Sequence, residues 1–246
     1  MEKYAIVADT HPPFQDSYAV DLACQVIADF KPDVLVHLGD GIDFYAVSHF
    51  DRDPDRVLKL QDELDSAKAV NRDLVSASPN AKKVYIEGNH EYRWARYLMR
   101  HPEIANLKVL AIQELLGLES WEYNEEQYSV LSNRLKFIHG RRISKHSGFS
   151  AKYALESAFH QQSVLMGHSH RQGVHFVTGP RWMVTAVEVG CLCQPMEYSG
   201  DTPNWQQGIA LITADDSNRF GLELLTFLQS GRVRRVIWRE REYTAK

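Results

Sequence analysis

Cysteine is scarce: only Cys24, Cys191 and Cys193 occur in 246 residues. Three thiols without framework spacing exclude a disulfide-stapled fold and a Cys-rich zinc module, and they read as reduced packing residues. Long hydrophobic runs are missing too, since no stretch approaches the roughly 20 apolar residues needed to cross a bilayer. Met1-Glu2-Lys3-Tyr4 leads straight into a strand-like segment with no secretory pattern. These absences point to a cytoplasmic protein without a membrane partner. An excess of basic charge is also lacking: 28 Lys and Arg face 32 Asp and Glu, for a formal charge of −4. A surface coated for nucleic acid is thereby disfavoured, while a local basic patch stays open. There is no internal repeat, low-complexity tract or linker, so residues 1–246 are expected to form one domain.

What is present is an alternation of short apolar runs with amphipathic segments. Strands are expected over Lys3 to Ala8, Val34 to Leu38 and Lys83 to Ile86, and helices over Asp16 to Phe30 and Arg56 to about Val75. That order implies an α/β fold with parallel pairing through crossovers. From about 92 to 134 the rhythm changes to a helical insertion, with helices over Tyr92 to Arg100 and Ile112 to Leu116. Leu135 to Ile138 and Ser163 to Met166 resume the strands, with a helix over Phe149 to Phe159 between them. The last third is strand-rich, including one run from Leu222 to Leu228 and a turn at Gln229-Ser230-Gly231.

Polar clusters follow the strands: Asp9-Thr10-His11, Gly39-Asp40-Gly41-Ile42-Asp43, Gly88-Asn89-His90-Glu91, His139-Gly140 and Gly167-His168-Ser169-His170. In an α/β sheet the carboxyl ends of parallel strands line one crevice, where ligands bind. Asp9, His11, Asp40, Asn89, His139, His168 and His170 together mix carboxylate, amide oxygen and imidazole. Such donors suit Mn²⁺, Fe or Zn²⁺ and are too rich in nitrogen for Ca²⁺ or Mg²⁺. They exceed what one ion needs; with Asp40 bridging, they would make two sites about 3.5–4 Å apart, suited to a phosphoryl centre.

In order and spacing these clusters resemble the calcineurin-like metallophosphoesterases, and more narrowly members encoded by bacteriophages, through Lys145-His146-Ser147-Gly148, Gly190-Cys191-Leu192-Cys193 and Asn204-Trp205-Gln206-Gln207-Gly208. The resemblance implies a four-layer α/β/β/α sandwich and two divalent ions, Mn²⁺ foremost. It implies that Asp9, His11, Asp40 and His170 hold one ion, and that Asp40, Asn89, His139 and His168 hold the other. His90 would then be the catalytic acid for the leaving oxygen, oriented by Asp43, with water activated by the metals as nucleophile. Phe44 follows Asp43 where protein phosphatases of this superfamily carry arginine, which counts against a protein substrate.

Arg93, Arg96, Arg141 and His146 are candidate substrate contacts. The run from Arg93 to Arg100 suits nucleic acid if its arginines grip phosphates and its rings stack on bases, or a plain helix if Trp94, Tyr97 and Leu98 face inward. DNA is therefore the leading substrate, with a nuclease as the reaction. The rivals are a phosphomonoesterase or small-molecule phosphodiesterase, which a compact pocket roofed by 92–134 would favour, and a non-catalytic binding scaffold. A homodimer through the insertion is also compatible with the pattern. His37, His49, His101, His160 and His175 read as structural, Arg232, Arg234 and Arg235 as a solvated strand face, and Trp205 as core in preference to a substrate platform.

Overall fold

The computed structural model describes residues 1–48, 59–158, 161–180, 182–196 and 203–246. Strand β1 (Glu2–Val7) leads into α1 (Ser17–Phe30), whose first amides are capped by Asp16 through Tyr18 N and Ala19 N. Lys31 closes the helix in a left-handed turn just before Pro32. Strand β2 (Val34–His37), helix α2 (Leu60–Ala77) and β3 (Lys82–Ile86) complete the first half. Buried along almost their full lengths, β1, β2 and β3 pair in parallel, as continuous apolar strands require.

The segment from 92 to 134 differs from the expected helical insertion. Helices α3 (Glu91–Arg100) and α4 (Ile112–Leu116) form, but β4 (Trp121–Asn124) then joins β3 in parallel and β5 (Gln127–Val130) opens a second sheet. This is where the chain passes between sheets, so part of the stretch belongs to the sandwich. Strands of only four residues, Trp121-Glu122-Tyr123-Asn124 and Gln127-Tyr128-Ser129-Val130, are too short for their apolar alternation to show it beforehand.

The second half runs β6 (Leu135–Ile138), α5 (Phe149–Ala158), β7 (Ser163–Met166), β8 (Gln172–Gly179) and β9 (Trp182–Val189). Then follow β10 (Gly208–Ala214), β11 (Phe220–Thr226), β12 (Leu228–Ser230), β13 (Val233–Trp238) and β14 (Arg241–Ala245). One sheet has the order β11-β10-β1-β2-β3-β4 and the other β5-β6-β7-β9-β8. The strand-rich tail is thus shared out: β8 and β9 enter the second sheet, β10 and β11 extend the first, and β12-β13-β14 form a third small sheet. The run from Leu222 to Leu228 breaks at Phe227, which is buried between β11 and β12.

Three apolar layers hold this together. Tyr4, Ile6, Val36 and Ile86 meet Leu135, Phe137, Leu165 and Val187 between the two main sheets. On the outer face of the first sheet, Ala5, Val7 and Leu35 pack against α1 and α2. Ile138, Val164 and Ala186 pack against α5 through Ala151 and Leu155. The result is the α/β/β/α sandwich, with the small third sheet laid on α1 through Val236, Trp238 and Tyr243. His49, His160 and the start of the helix expected from Arg56 lie outside the described residues.

Candidate metal centre

The carboxyl ends of β1, β2 and β3 in one sheet face those of β6 and β7 in the other, and the turns leaving them are stitched together. Asp9 N donates to Gly39 O at 3.1 Å and His11 N to Asp40 O at 3.0 Å. His139 Nδ1 meets Leu38 O at 2.8 Å, and His168 N reaches both Asp9 carboxylate oxygens, so the two sheets are tied at this rim. Asp9, His11, Asp40, His168 and His170 all have positive φ. Left-handed backbone costs a non-glycine residue on the order of 1–2 kcal/mol, and its clustering marks a rim shaped for a ligand.

The side chains converge in linked groups. Asp9, His11, Asp40 and His170 form one, with His11 Nε2 3.1 Å from His170 Nε2 and 3.5 Å from Asp40 Oδ2, and His170 Nε2 3.4 Å from Asp9 Oδ1. Asp40, His139 and His168 form a second, joined by Asn89: His139 Nε2 lies 3.3 Å from Asp40 Oδ2, 3.0 Å from Asn89 Oδ1 and 3.2 Å from His168 Nδ1. One oxygen, Asp40 Oδ2, is common to both. The first group is wholly buried, whereas Asn89 is exposed and His168 half-buried, so the second opens to solvent.

These residues fit a pair of divalent ions. Ligands bound at about 2.0–2.2 Å to one ion stand roughly 3.0–3.5 Å apart at octahedral or tetrahedral angles, which most of these donor separations match. Two pairs of ring nitrogens face each other at 3.1 and 3.2 Å among buried carboxylates, an arrangement that a shared cation stabilises.

A third group is His11, Asp43 and His90. Rather than capping the following turn, the Asp43 carboxylate lies between two imidazoles, 3.6 Å from His11 Nδ1 and 3.5 Å from His90 Nδ1. Burial alone would raise the Asp43 carboxyl, but hydrogen bonds and charge from His11 and His90 hold it far below the usual range. Asp40 is likewise lowered against its own burial, chiefly by His139 and His90. Burial disfavours the charged ring of His139, yet Asp40 beside it raises it to about 10. Burial and the neighbouring His139 push His168 down to about 4.

The expected substrate contacts divide. Arg93 belongs to the centre: its Nη1 donates to Asp43 O and Oδ1 at 3.0 and 3.2 Å, and its Nη2 lies 3.1 Å from His90 Nε2. Arg96, Arg141 and His146 are exposed and make none of these contacts among the described residues. Of the rings of α3, Tyr92 is exposed, whereas Trp94 and Tyr97 are not free for bases. Trp94 stacks on Phe44 and Tyr97, and Tyr97 on His101, so the inward-facing account holds for them. Residues of α3 and of the segment 105–113, with Glu87, Tyr123 and Glu125, line a half-open pocket of about 390 Å³ that reaches Glu91 but none of the candidate ligands.

Several contributors were not foreseen. Glu91, completely buried, accepts from Asp40 N, Gly41 N, Gly88 N and Tyr85 Oη and so clamps the second and third turns together. The signal was its place in Gly88-Asn89-His90-Glu91, an acid where a buried helix start needs an acceptor. Trp205 stands edge-on to His170 with ring centres 4.1 Å apart, as a wall of the centre. His37 is structural as expected, buried with its Nδ1 accepting from Gly39 N.

Comparison with known proteins agrees with this geometry. Gene 54 protein of Mycobacterium phage D29 is 26% identical over 234 residues, covering 88% of this chain and 91% of its own. Its counterpart in Mycobacterium phage L5 is 27% identical over 235 residues, with 87% and 89% covered. Vps29 of Chaetomium thermophilum shares the fold at a TM-score of 0.51 and 11% identity, covering 100% of this chain and 98% of its own. The sequence model described as calcineurin-like phosphoesterase matches residues 2–187, a span that contains every candidate ligand from Asp9 to His170, and the chain therefore belongs to the calcineurin-like phosphoesterase family.

Proposed function

We propose that this protein is a dinuclear metal-dependent phosphoesterase that cleaves phosphodiesters, with DNA as its substrate and Mn²⁺ as its preferred ion. The observation that carries the hydrolytic reading is Asp40 Oδ2, which lies 3.5 Å from His11 Nε2, 3.3 Å from His139 Nε2 and 3.8 Å from His90 Nε2. Asp9, His11, Asp40 and His170 would hold one ion, and Asp40, Asn89, His139 and His168 the other. Bound there, divalent ions supply Lewis-acid polarisation of the phosphoryl oxygens and activation of water.

The chain's own residues supply the proton and the positioning. His90 Nδ1 is held by Asp43 O at 2.8 Å, so its proton is assigned to that bond and Nε2 is left for chemistry, turned towards Asp40. When water adds to phosphorus and the ester P–O bond breaks, the imidazolium form of His90, which against the effect of burial is favoured by Asp40 and Asp43, gives its Nε2 proton to the leaving oxygen. Arg93 Nη2 donates to Nε2 of the neutral ring, and once that nitrogen is protonated the guanidinium is free to turn to phosphoryl charge. Support for DNA is the exposure of five cations on the two segments that follow candidate site residues, Arg96 and Arg100 on α3 and Arg141, Arg142 and Lys145 after β6.

A second reading, a phosphomonoesterase, draws on Arg93, because one guanidinium fixed beside the acid suits a terminal phosphate. Parallel Mn²⁺-dependent assays on single-stranded DNA, duplex DNA, bis-p-nitrophenyl phosphate and p-nitrophenyl phosphate separate the readings. DNA cleavage that disappears in His90→Ala supports the nuclease, and activity confined to the monoester supports the second reading. Inactivity on all four, with metals retained, would leave a binding scaffold.

A further inference from the structure

Gly190-Cys191-Leu192-Cys193 takes no part in the hydrolytic site. The chain leaves β9 at Gly190 with φ 98, and the next residues run extended, Cys191 bridging to Gln207 and Cys193 to Gln15. Residues two apart on an extended segment share a face, so both thiols point the same way. That face is turned to His170: Cys191 Sγ, Cys193 Sγ and a ring nitrogen of His170 all lie within 4.8 Å of one another, and both cysteines are completely buried.

The nitrogen concerned is Nδ1, 3.9 Å from Cys193 Sγ, on the opposite side of the ring from the Nε2 that faces Asp9 and His11. A metal-binding histidine ordinarily rests its second nitrogen on a carboxylate, a carbonyl or water. Here it meets sulfur. Two thiolates and one imidazole form the donor set of a soft d¹⁰ ion, and S and N ligands of one tetrahedral zinc stand about 3.5 Å apart. Met196 and the partly buried Phe14 and Trp205 line the thiol pair with apolar surface, which disfavours hard cations.

We propose that Cys191 Sγ, Cys193 Sγ and His170 Nδ1 form a separate site for a thiophilic divalent ion such as Zn²⁺, sharing the His170 ring with the dinuclear centre. Uptake forms two metal–sulfur bonds and one metal–nitrogen bond and releases the two thiol protons and the Nδ1 proton, with no change in oxidation state. The shared imidazole then links the hydrolytic centre to the supply of thiophilic metal. The proposal does not rest on the substrate, because its readout is a thiolate absorbance that a failure of hydrolysis leaves untouched.

The test adds one equivalent of Cd²⁺ to the reduced full chain. A thiolate-to-cadmium charge-transfer band is expected in the wild type, in Cys24→Ser and in Asp40→Ala. The double variant Cys191→Ser, Cys193→Ser should lose it, with Cd²⁺ affinity at this site reduced at least about tenfold. X-ray absorption on the wild type needs no variant and should find two sulfur neighbours per cadmium. No band in the wild type, a shell of nitrogen and oxygen only, or a band that survives in the double variant overturns the site. Loss of the band in folded Asp40→Ala would make the thiols part of the dinuclear centre and overturn the separate site.

Discussion

His90 and Asp40 share a few ångströms of space but hold different positions, and substitution should separate them. Asp40 Oδ2 is common to both ligand groups, so Asp40→Ala should lose bound metal, measured by elemental analysis of purified protein. His90 stands at the edge, tied to Asp43, and His90→Ala should keep both ions while turnover falls about 10²–10⁴-fold. Equal metal loss in both variants would contradict the division of roles. Glu91 offers a different kind of test. Its carboxylate serves three backbone amides and the Tyr85 hydroxyl, and Glu91→Gln turns an NH₂ group towards donors. Thermal unfolding should show a loss of about 1–3 kcal/mol, with weaker metal binding because the second and third turns are no longer clamped.

The turns themselves are built on close backbone approach. A Cβ on Gly88 would collide with Asp40 Oδ1 and the Asp40 amide, and one on Gly39, where φ is +91, would lie 2.6 Å from Gly88 N. Gly88→Ala should therefore cost about 1–3 kcal/mol or more and lower metal affinity, read by urea unfolding and metal titration. The turn after Asp43 has its own support, since Glu63 on α2 accepts from Tyr45 N and Ala46 N. Burial raises the Glu63 carboxyl to about 7, against an ordinary 4.5, even though those amides lower it. Below pH 4.5 both folded and unfolded chains keep the proton; between about 4.5 and 7 only the folded chain does, so stability falls across that window and levels off above it. Urea unfolding at pH 5 and pH 8 should show a decline on the order of 3 kcal/mol from this group, absent in Glu63→Gln. At this scale the sequence was most readable where an apolar run stops at a polar cluster, which is why Asp9, Asp40, Asn89, His139 and His168 could be placed in advance. It was least readable where structure depends on backbone conformation or on long-range partners. The left-handed backbone of the candidate ligands Asp9, His11, Asp40, His168 and His170 leaves no compositional trace, and β4 and β5 are strands because edges of two sheets await them.

Arg234 shows the same limit across the whole molecule. In sequence it alternates with Arg232 and reads as solvated, yet it is buried, and its guanidinium pairs with Asp16 across most of the chain. Only the third sheet folding back on α1 brings that acid within reach. Asp16 is doubly used: Oδ1 caps α1 through Tyr18 N and Ala19 N, while Oδ2 takes Arg234 and Gln207. Arg234 also reaches Gln207 Oε1 and Gly231 O. The Asp16 amide in turn donates to Leu192 O, between the two buried thiols, so the C-terminal sheet, α1 and the wall behind His170 form one connected unit. Arg234→Ala strands a buried carboxylate and should cost about 3–5 kcal/mol in urea unfolding. Because water and salt hardly reach the pair, that loss should persist in high salt, unlike the contribution of the exposed pair Arg235–Glu242. Asp16→Asn keeps the helix cap but removes the charge, so Arg234→Met with Asp16→Asn should recover most of the stability. A double variant no better than Arg234→Ala would show that the guanidinium stabilises through its contacts with Gln207 and Gly231, and not through the charge on Asp16.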